Sequence, residues 1–234
     1  MIPSRENNPF IEELKSVSEF YPNNFVYESS NNSLHGEIGF NRPYKGIYIE
    51  DQYQIELIFK QNHPDIPPVV KENGGKIPLN VNNHAYPDDT ICLGPPIELL
   101  AKFKCNPTLF GFIDSILVPN LYWHSYLKKY GTEPWKAYRH GDEGIREYRD
   151  SVNLRKRYFS IFETDNINVV LRLLEMVVKE NYLNNPTCPC GRGKQLNDCH
   201  YRLIENLLQM PYLKISHLAR DYWHLSDNYK RRAK

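Results

Sequence analysis

The chain has 234 residues, enough for one good-sized domain and a small appendage, and its 41% apolar and 24% charged residues are the balance of an ordinary globular protein. With 29 basic against 28 acidic residues the formal charge is +1, so nothing marks a nucleic-acid or membrane partner. Apolar runs such as Ile97–Ala101 are far too short to span a bilayer, and the opening residues Met1–Asn8 contain no apolar signal segment, so the expected location is the cytoplasm.

Asn8 and Pro9 have the chemistry of a helix cap and first helical position, and Phe10, Leu14, Val17 and Tyr21 then recur on one helical face. Leu34, Gly36, Ile38 and Phe40 alternate with polar neighbours, as do Tyr53, Ile55, Leu57 and Phe59, which predicts two half-buried strands. After the proline-rich run His63–Pro68, a third short strand is expected from Pro68 to Lys71, and Gly74-Gly75 ends it. Residues 76–96 contain four prolines and no periodicity, which predicts a long loop of the kind usually kept for function. Asn106-Pro107 is expected to start a helix with Leu109, Phe112, Ile113, Ile116 and Leu117 on its apolar face and Pro119 as its stop. A further helix is expected over 165–183, carrying Ile167, Val170, Leu171, Leu174, Val177 and Val178, ended by Asn184-Asn185-Pro186.

Five cysteines make an odd number, which argues against a closed disulfide framework. Three crowd into residues 188–199, while Cys92 and Cys105 stand alone. A lone cysteine is ordinarily a small buried apolar residue, and Cys105, beside a helix start, is expected to be one. Cys92 differs. It lies in the polar run His84-Ala85-Tyr86-Pro87-Asp88-Asp89-Thr90-Ile91-Cys92-Leu93-Gly94, eight residues after a histidine. A thiolate there can accept an acyl group, and the resulting thioester can pass it to an amine.

This run, with the helix, alternating strands and proline-rich crossing before it and the helix after it, resembles the catalytic core of ubiquitin-conjugating enzymes in their divergent bacterial form. The segment Pro134-Trp135…His140-Gly141-Asp142-Glu143-Gly144-Ile145 is similar to the same group, with no chemical role assigned. The resemblance implies an α+β, ubiquitin-conjugating (UBC-like) fold: an N-terminal helix and antiparallel strand meander with C-terminal helices. It implies a catalytic domain over 1–155, a helical connector over 156–186, and a C-terminal module with a terminal helix over 187–234. Cys92 is then the thioester-forming nucleophile. The family places an asparagine eight residues before its cysteine as an oxyanion donor; here His84 fills that offset, as oxyanion donor or as base toward the amine. Tyr86, Asp88 and Asp89 are the expected supporting residues, Tyr86 as a wall and the aspartates to orient the histidine or to raise the amine's nucleophilicity.

The second motif is Cys188-Pro189-Cys190-Gly191-Arg192-Gly193-Lys194-Gln195-Leu196-Asn197-Asp198-Cys199-His200. Cys188, Cys190, Cys199 and His200 offer four N/S ligands, which zinc takes tetrahedrally with no position left for chemistry, so structural zinc is the expected cofactor. Gly191 and Gly193 permit the tight turn between the pairs. The pattern is similar to the SEC-C motif, a short zinc module found in many bacterial proteins, which implies protein docking.

No glycine-rich loop opens a helix, so the chain does not activate a carboxylate by itself, and an activating enzyme or a pre-activated donor is implied. Stand-alone proteins of this type are similar to those of bacterial CBASS anti-phage operons. That implies as acyl donor the C-terminus of a cGAS-like nucleotidyltransferase (CD-NTase), or else a ubiquitin-like protein, with a lysine-bearing protein as acceptor. The rival expectation is a catalytically inactive adaptor of the same fold, docking partners through the zinc module. A cysteine hydrolase is disfavoured, because no Cys-His-Asn signature fits.

Overall fold

The computed structural model describes residues 9–139 and 141–232, so the expected cap at Asn8 and the residue His140 lie outside the described residues. The protein is α+β, with a four-stranded antiparallel sheet and several helices. Two compact units divide the chain: residues up to 93 with 105–137, and residues 94–104 with 138–234.

In the first unit helix α1 (Ile11–Ser18) is shorter than expected, and Phe10 rather than Pro9 precedes it. Val17 is fully buried, and the aromatic rings of Phe10 and Tyr21 are buried just beyond either end of the helix. Strands β1 (Val26–Glu28), β2 (Ser33–Tyr44), β3 (Ile47–Ile58) and β4 (Val69–Glu72) follow in sheet order β1-β2-β3-β4. Strand β1 escapes a periodicity reading because three residues are too few to show alternation. The β2–β3 hairpin turns on Lys45 and Gly46, both at positive φ, the turn whose twist suits antiparallel strands. Its register places Leu34 opposite Leu57 and Ile38 opposite Tyr53, and all four are buried. The alternation in both strands therefore marks the core face.

Asn106-Pro107 does not begin the next helix; Thr108 does, its side chain accepting from the Gly111 N–H. Nor does Pro119 end it. Helix α3 (Leu109–Phe112) runs into a π turn, Ile113–Leu117, and then into α4 (Val118–Tyr130). The Val118 N–H bonds back to the Ile113 carbonyl across this wider turn, so Pro119 falls in the first turn of α4, where its missing N–H costs nothing. Leu109, Phe112, Ile113, Ile116 and Leu117 are all buried as expected. Helix α4 is tied to β3 by the Tyr122 hydroxyl donating to the Ile47 carbonyl at 2.9 Å and by a 2.7 Å bond between the Tyr53 and Ser125 hydroxyls.

The second unit is helical. Helix α2 (Pro96–Cys105), unanticipated because its apolar run is cut by charged residues, contributes most of its length here. It is joined by α5 (Gly141–Ser151), α6 (Leu154–Ile161), α7 (Ile167–Val178), α8 (Tyr201–Leu208) and α9 (Ile215–Arg232). Asn166 caps α7, which stops at Val178, short of the expected 183, and a 3-10 turn, Asn181–Asn184, takes up the remainder. Val169 and Leu173 join Ile167, Val170, Leu174 and Val177 in the core, whereas Leu171 and Val178 are only half-buried. A buried ion pair links α5 to α9, Arg149 Nε to Asp221 Oδ1 at 2.6 Å, and the Tyr158 hydroxyl of α6 donates to the other Asp221 oxygen at 2.8 Å. Burial raises the Asp221 pKa above the ordinary carboxylate value even against these two stabilising partners. Among the described residues, no helix is long and apolar enough to cross a membrane.

Removing a side chain from the β2–β3 core should cost far more than removing one beside it on the surface. Leu57→Ala should lose about 2–5 kcal/mol of unfolding free energy in a urea titration. Tyr48→Ala, at a ring 66% exposed, should change it by no more than ~0.5 kcal/mol.

Candidate functional site

The loop of residues 76–96 is pinned to the sheet. The Ile91 N–H donates to the Val70 carbonyl at 2.8 Å, and the Glu72 N–H donates to the Asp89 carbonyl at 3.0 Å, so the segment continues the sheet past β4. Within it, Tyr86 N–H donates to Thr90 O at 2.8 Å, and Ala85 bridges Ile91 in antiparallel fashion. The result is a miniature hairpin whose two open ends are His84 and Cys92. These ends are tied directly, the Cys92 N–H donating to the His84 carbonyl at 2.7 Å.

Cys92 is partly exposed and His84 half-buried, with its backbone in the left-handed region at φ 50°. The imidazole of His84 stands edge-on to the Trp123 ring at 5.4 Å between centroids. Asp88 closes the hairpin: its carboxylate accepts from the Thr90 N–H at 3.2 Å. Slight burial raises its pKa, but the Thr90 bonds and the Lys71 charge outweigh this and leave it below the usual carboxylate range. Asp89 contributes its carbonyl to Glu72 from a left-handed backbone, φ 66°, and Tyr86 is half-buried at the mouth of the hairpin turn. The aspartates therefore act on the loop's backbone.

Cys105 corrects the expectation of a buried thiol. It is exposed, more so than Cys92. It is the last residue of α2 rather than part of the flank of the helix that follows.

Helix α4 supplies groups not singled out in the sequence. Asn120 Nδ2 donates to the Cys92 carbonyl at 3.3 Å, and Trp123 touches His84. His124, one helical turn beyond Asn120, is 6% exposed. Burial, and secondarily the nearby His84, push its pKa down to about 4, so it is neutral at physiological pH. The only sequence signal was the i, i+4 spacing of two polar side chains on an otherwise apolar helix face.

In the second unit the Cys188–His200 segment folds as a knuckle. Cys188 N–H donates to Lys194 O at 2.8 Å, Leu196 N–H donates to Pro186 O at 2.8 Å, and Thr187 bridges Gln195. Gly191 and Gly193 turn between them at φ 80° and 70°, where a side chain would be strained. Asn185 Oδ1 accepts from the Asn197 N–H, and Leu196 is fully buried beneath. The turn brings the Cys188, Cys190 and Cys199 sulfurs and a His200 ring nitrogen within 4.8 Å of one another. Cys188 Sγ and Cys199 Sγ lie 3.2 and 3.1 Å from His200 Nδ1, and the Cys190 and Cys199 sulfurs are 3.4 Å apart. Three sulfurs and one imidazole so placed could hold a metal ion. Arg192 and Lys194 are exposed on its turn.

Comparison of the chain with family models, curated proteins and solved structures finds no match.

The buried His124 should leave a pH signature in stability. The unfolded chain protonates this residue below its ordinary value of 6.5, the folded chain only near 4. Unfolding therefore takes up a proton between these limits, and stability should fall as pH drops from about 6.5 to about 4. His124→Gln should remove up to about 3 kcal/mol of that pH dependence, read as a flatter slope of unfolding free energy against pH.

Proposed function

We propose that this protein is a ubiquitin-conjugating-like acyltransferase in which Cys92 carries a protein C-terminus as a thioester and passes it to a lysine amine. The observation that carries the reading is the hairpin tied by the Cys92 N–H to the His84 carbonyl, which presents a partly exposed thiol on a backbone anchored to the sheet. Rigid support with an open face is what a nucleophile shared by two protein substrates requires. The order of α1, antiparallel meander, proline-rich crossing, cysteine hairpin and helix supports a ubiquitin-conjugating fold.

In the first step the Cys92 thiolate attacks an activated carboxyl, an acyl-adenylate or a thioester; the C–S bond forms and the donor's leaving group departs. In the second, the amine attacks that carbonyl, the C–N bond forms, the C–S bond breaks, and the thiolate is regenerated. The amine's proton passes to His84 or to water. His84, half-buried against Trp123, is the nearby group with an N–H for the oxyanion or a lone pair for the proton. The donor is a cGAS-like nucleotidyltransferase of a CBASS operon, whose priming this reaction accomplishes; a ubiquitin-like protein is the other donor class, and an activating enzyme supplies either one.

The Cys188, Cys190, Cys199 and His200 site is assigned to structural zinc in a SEC-C-like module, held for protein docking. The donor chemistry carries the assignment: thiolates and imidazole in a closed set of four suit zinc and leave no open position. A small loop-rich segment of this kind gains its fold from the metal.

Incubated with an activated donor, the chain should accumulate an adduct on Cys92 that a thiol reductant removes. Cys92→Ala should abolish adduct and conjugate together. His84→Ala should leave loading in place and slow transfer to the amine about 100-fold. Conjugation that survives Cys92→Ala would replace the enzyme with the adaptor reading. For the metal, elemental analysis should find close to one zinc per chain. Of the five cysteines, Cys92 and Cys105 should react promptly with a thiol reagent and the three in the cluster only after chelation; prompt reaction of all five without chelator would remove the zinc assignment.

A further inference from the structure

We propose that Asn120 is the positioning residue for the Cys92 nucleophile, an inference that rests on the transferase reading. Both backbone polar groups of Cys92 are held, from opposite directions. The N–H is taken by the His84 carbonyl at 2.7 Å, and the carbonyl receives the Asn120 side-chain amide at 3.3 Å. The first contact belongs to the hairpin itself. The second comes from α4, which the Tyr122 and Ser125 hydroxyl contacts fix to strand β3. Through Asn120 the thiol's position is therefore referred to the sheet by a second route, 28 residues away in sequence.

The cost of this contact marks it as more than packing. Donating Nδ2 to a carbonyl fixes which way the amide points, and the Asn120 Oδ1 atom is then buried with no hydrogen-bond partner among the described residues. A buried acceptor left unmet is destabilising, and an apolar side chain of similar size would avoid the penalty. His124 Nε2, one turn along the same helix face, is likewise buried and unmet among the described residues. The helix thus keeps two side chains with an unmet polar atom beside the cysteine hairpin, and one of them, Asn120, grips the nucleophile's peptide with its other polar atom, Nδ2. Trp123, between them in sequence, meets His84. One helical turn accordingly contacts both ends of the hairpin, Asn120 at Cys92 and Trp123 at His84.

Fixing the carbonyl of Cys92 restricts the backbone torsion that carries the thiol, which keeps the thioester carbonyl where the amine and His84 can both reach it. The expected loss on removing the amide is therefore in the rate of acyl transfer, with little change in fold stability or in substrate affinity.

The test uses the full chain with a small probe, a benzyl thioester of a short glycine-ended peptide in excess. The Cys92 thiolate displaces benzyl thiolate from it, forming the new C–S bond as the old one breaks. Discharge to free lysine is then followed by mass spectrometry of the intact protein. Asn120→Ala and the equally sized Asn120→Asp, whose carboxylate cannot donate, should both slow discharge about ten- to a hundredfold at saturating lysine and at a pH where that carboxylate is ionised, with the lysine concentration for half-maximal rate unchanged. Amide exchange over residues 84–93 should rise about tenfold in both, while exchange over β2 and β3 stays as in the wild type. If Asn120→Asp behaves as wild type in both measurements, the contact is packing and the proposal falls, whatever Asn120→Ala does. If loaded wild-type protein discharges no faster than a glutathione thioester of the same peptide, it is the transferase reading that fails; amide exchange then still decides whether Asn120 holds the hairpin.

Discussion

The hydrogen bond from the Ile91 amide to the Val70 carbonyl is the contact on which the rest of the cysteine site depends. A stretch of 21 residues rich in proline, asparagine and aspartate has little regular structure of its own beyond the short 3-10 turn Val81–Asn83, and an unpaired buried amide is expensive. Borrowing the free edge of β4 answers that need. It also blunts an edge strand that would otherwise be open to another chain. Once Ile91 is paired, the residues before it fold back as a hairpin, and Cys92 emerges beside His84. Ile91 and Ala85, both buried, lie beneath the exposed turn. Cys92 is thus carried by a loop in composition and by a sheet in mechanics.

The metal knuckle answers a different shortage. Between Pro186 and His200 the apolar anchors are Leu196 and Cys188, too few to order fifteen residues against their conformational entropy. Four side chains able to hold one ion converge where the core is missing, and the backbone bonds between Cys188 and Lys194 and between Leu196 and Pro186 set their spacing. His200 sits at the start of α8, so the same knuckle also fixes where that amphipathic helix begins.

Much of this was legible in the chain. The alternation of Leu34, Ile38 and Phe40 and of Tyr53, Ile55 and Leu57 is a period-two signal that only a one-sided sheet explains, and both strands are where it placed them. The ligand quartet was legible because metal chemistry permits few residue types and few spacings. What failed to show were features whose cause lies elsewhere in the fold. The short strand β1 exists through its pairing with β2, Val26 opposite His35. Helix α2 hides its period behind Glu98, Lys102 and Lys104, all three of which form ion pairs within its own unit: Glu98 meets Arg157 and Lys102, and Lys104 meets Glu163. Pro119 looked like a terminator because a linear pattern cannot reveal that the preceding turn has widened. Asn120 and His124 had no motif at all. Their significance comes from the hairpin against which α4 lies, a contact across 28 residues in the case of Cys92.

The widened turn at Ile113–Leu117 has a bearing on the lineage of this site. A π turn is an ordinary helical turn with one residue added, and each residue of a helix advances its direction by about 100°. Everything after the turn is therefore rotated by that angle relative to a helix without it, while the buried face before it, Leu109, Phe112 and Ile113, stays in place. Asn120, Trp123 and His124 owe their azimuth to that single surplus residue. A chain lacking it would keep the same core and the same sheet, yet turn a different set of side chains toward the cysteine hairpin. One surplus residue, accommodated where Pro119 needs no hydrogen-bond acceptor, is then enough to decide which side chains of the helix face the cysteine hairpin.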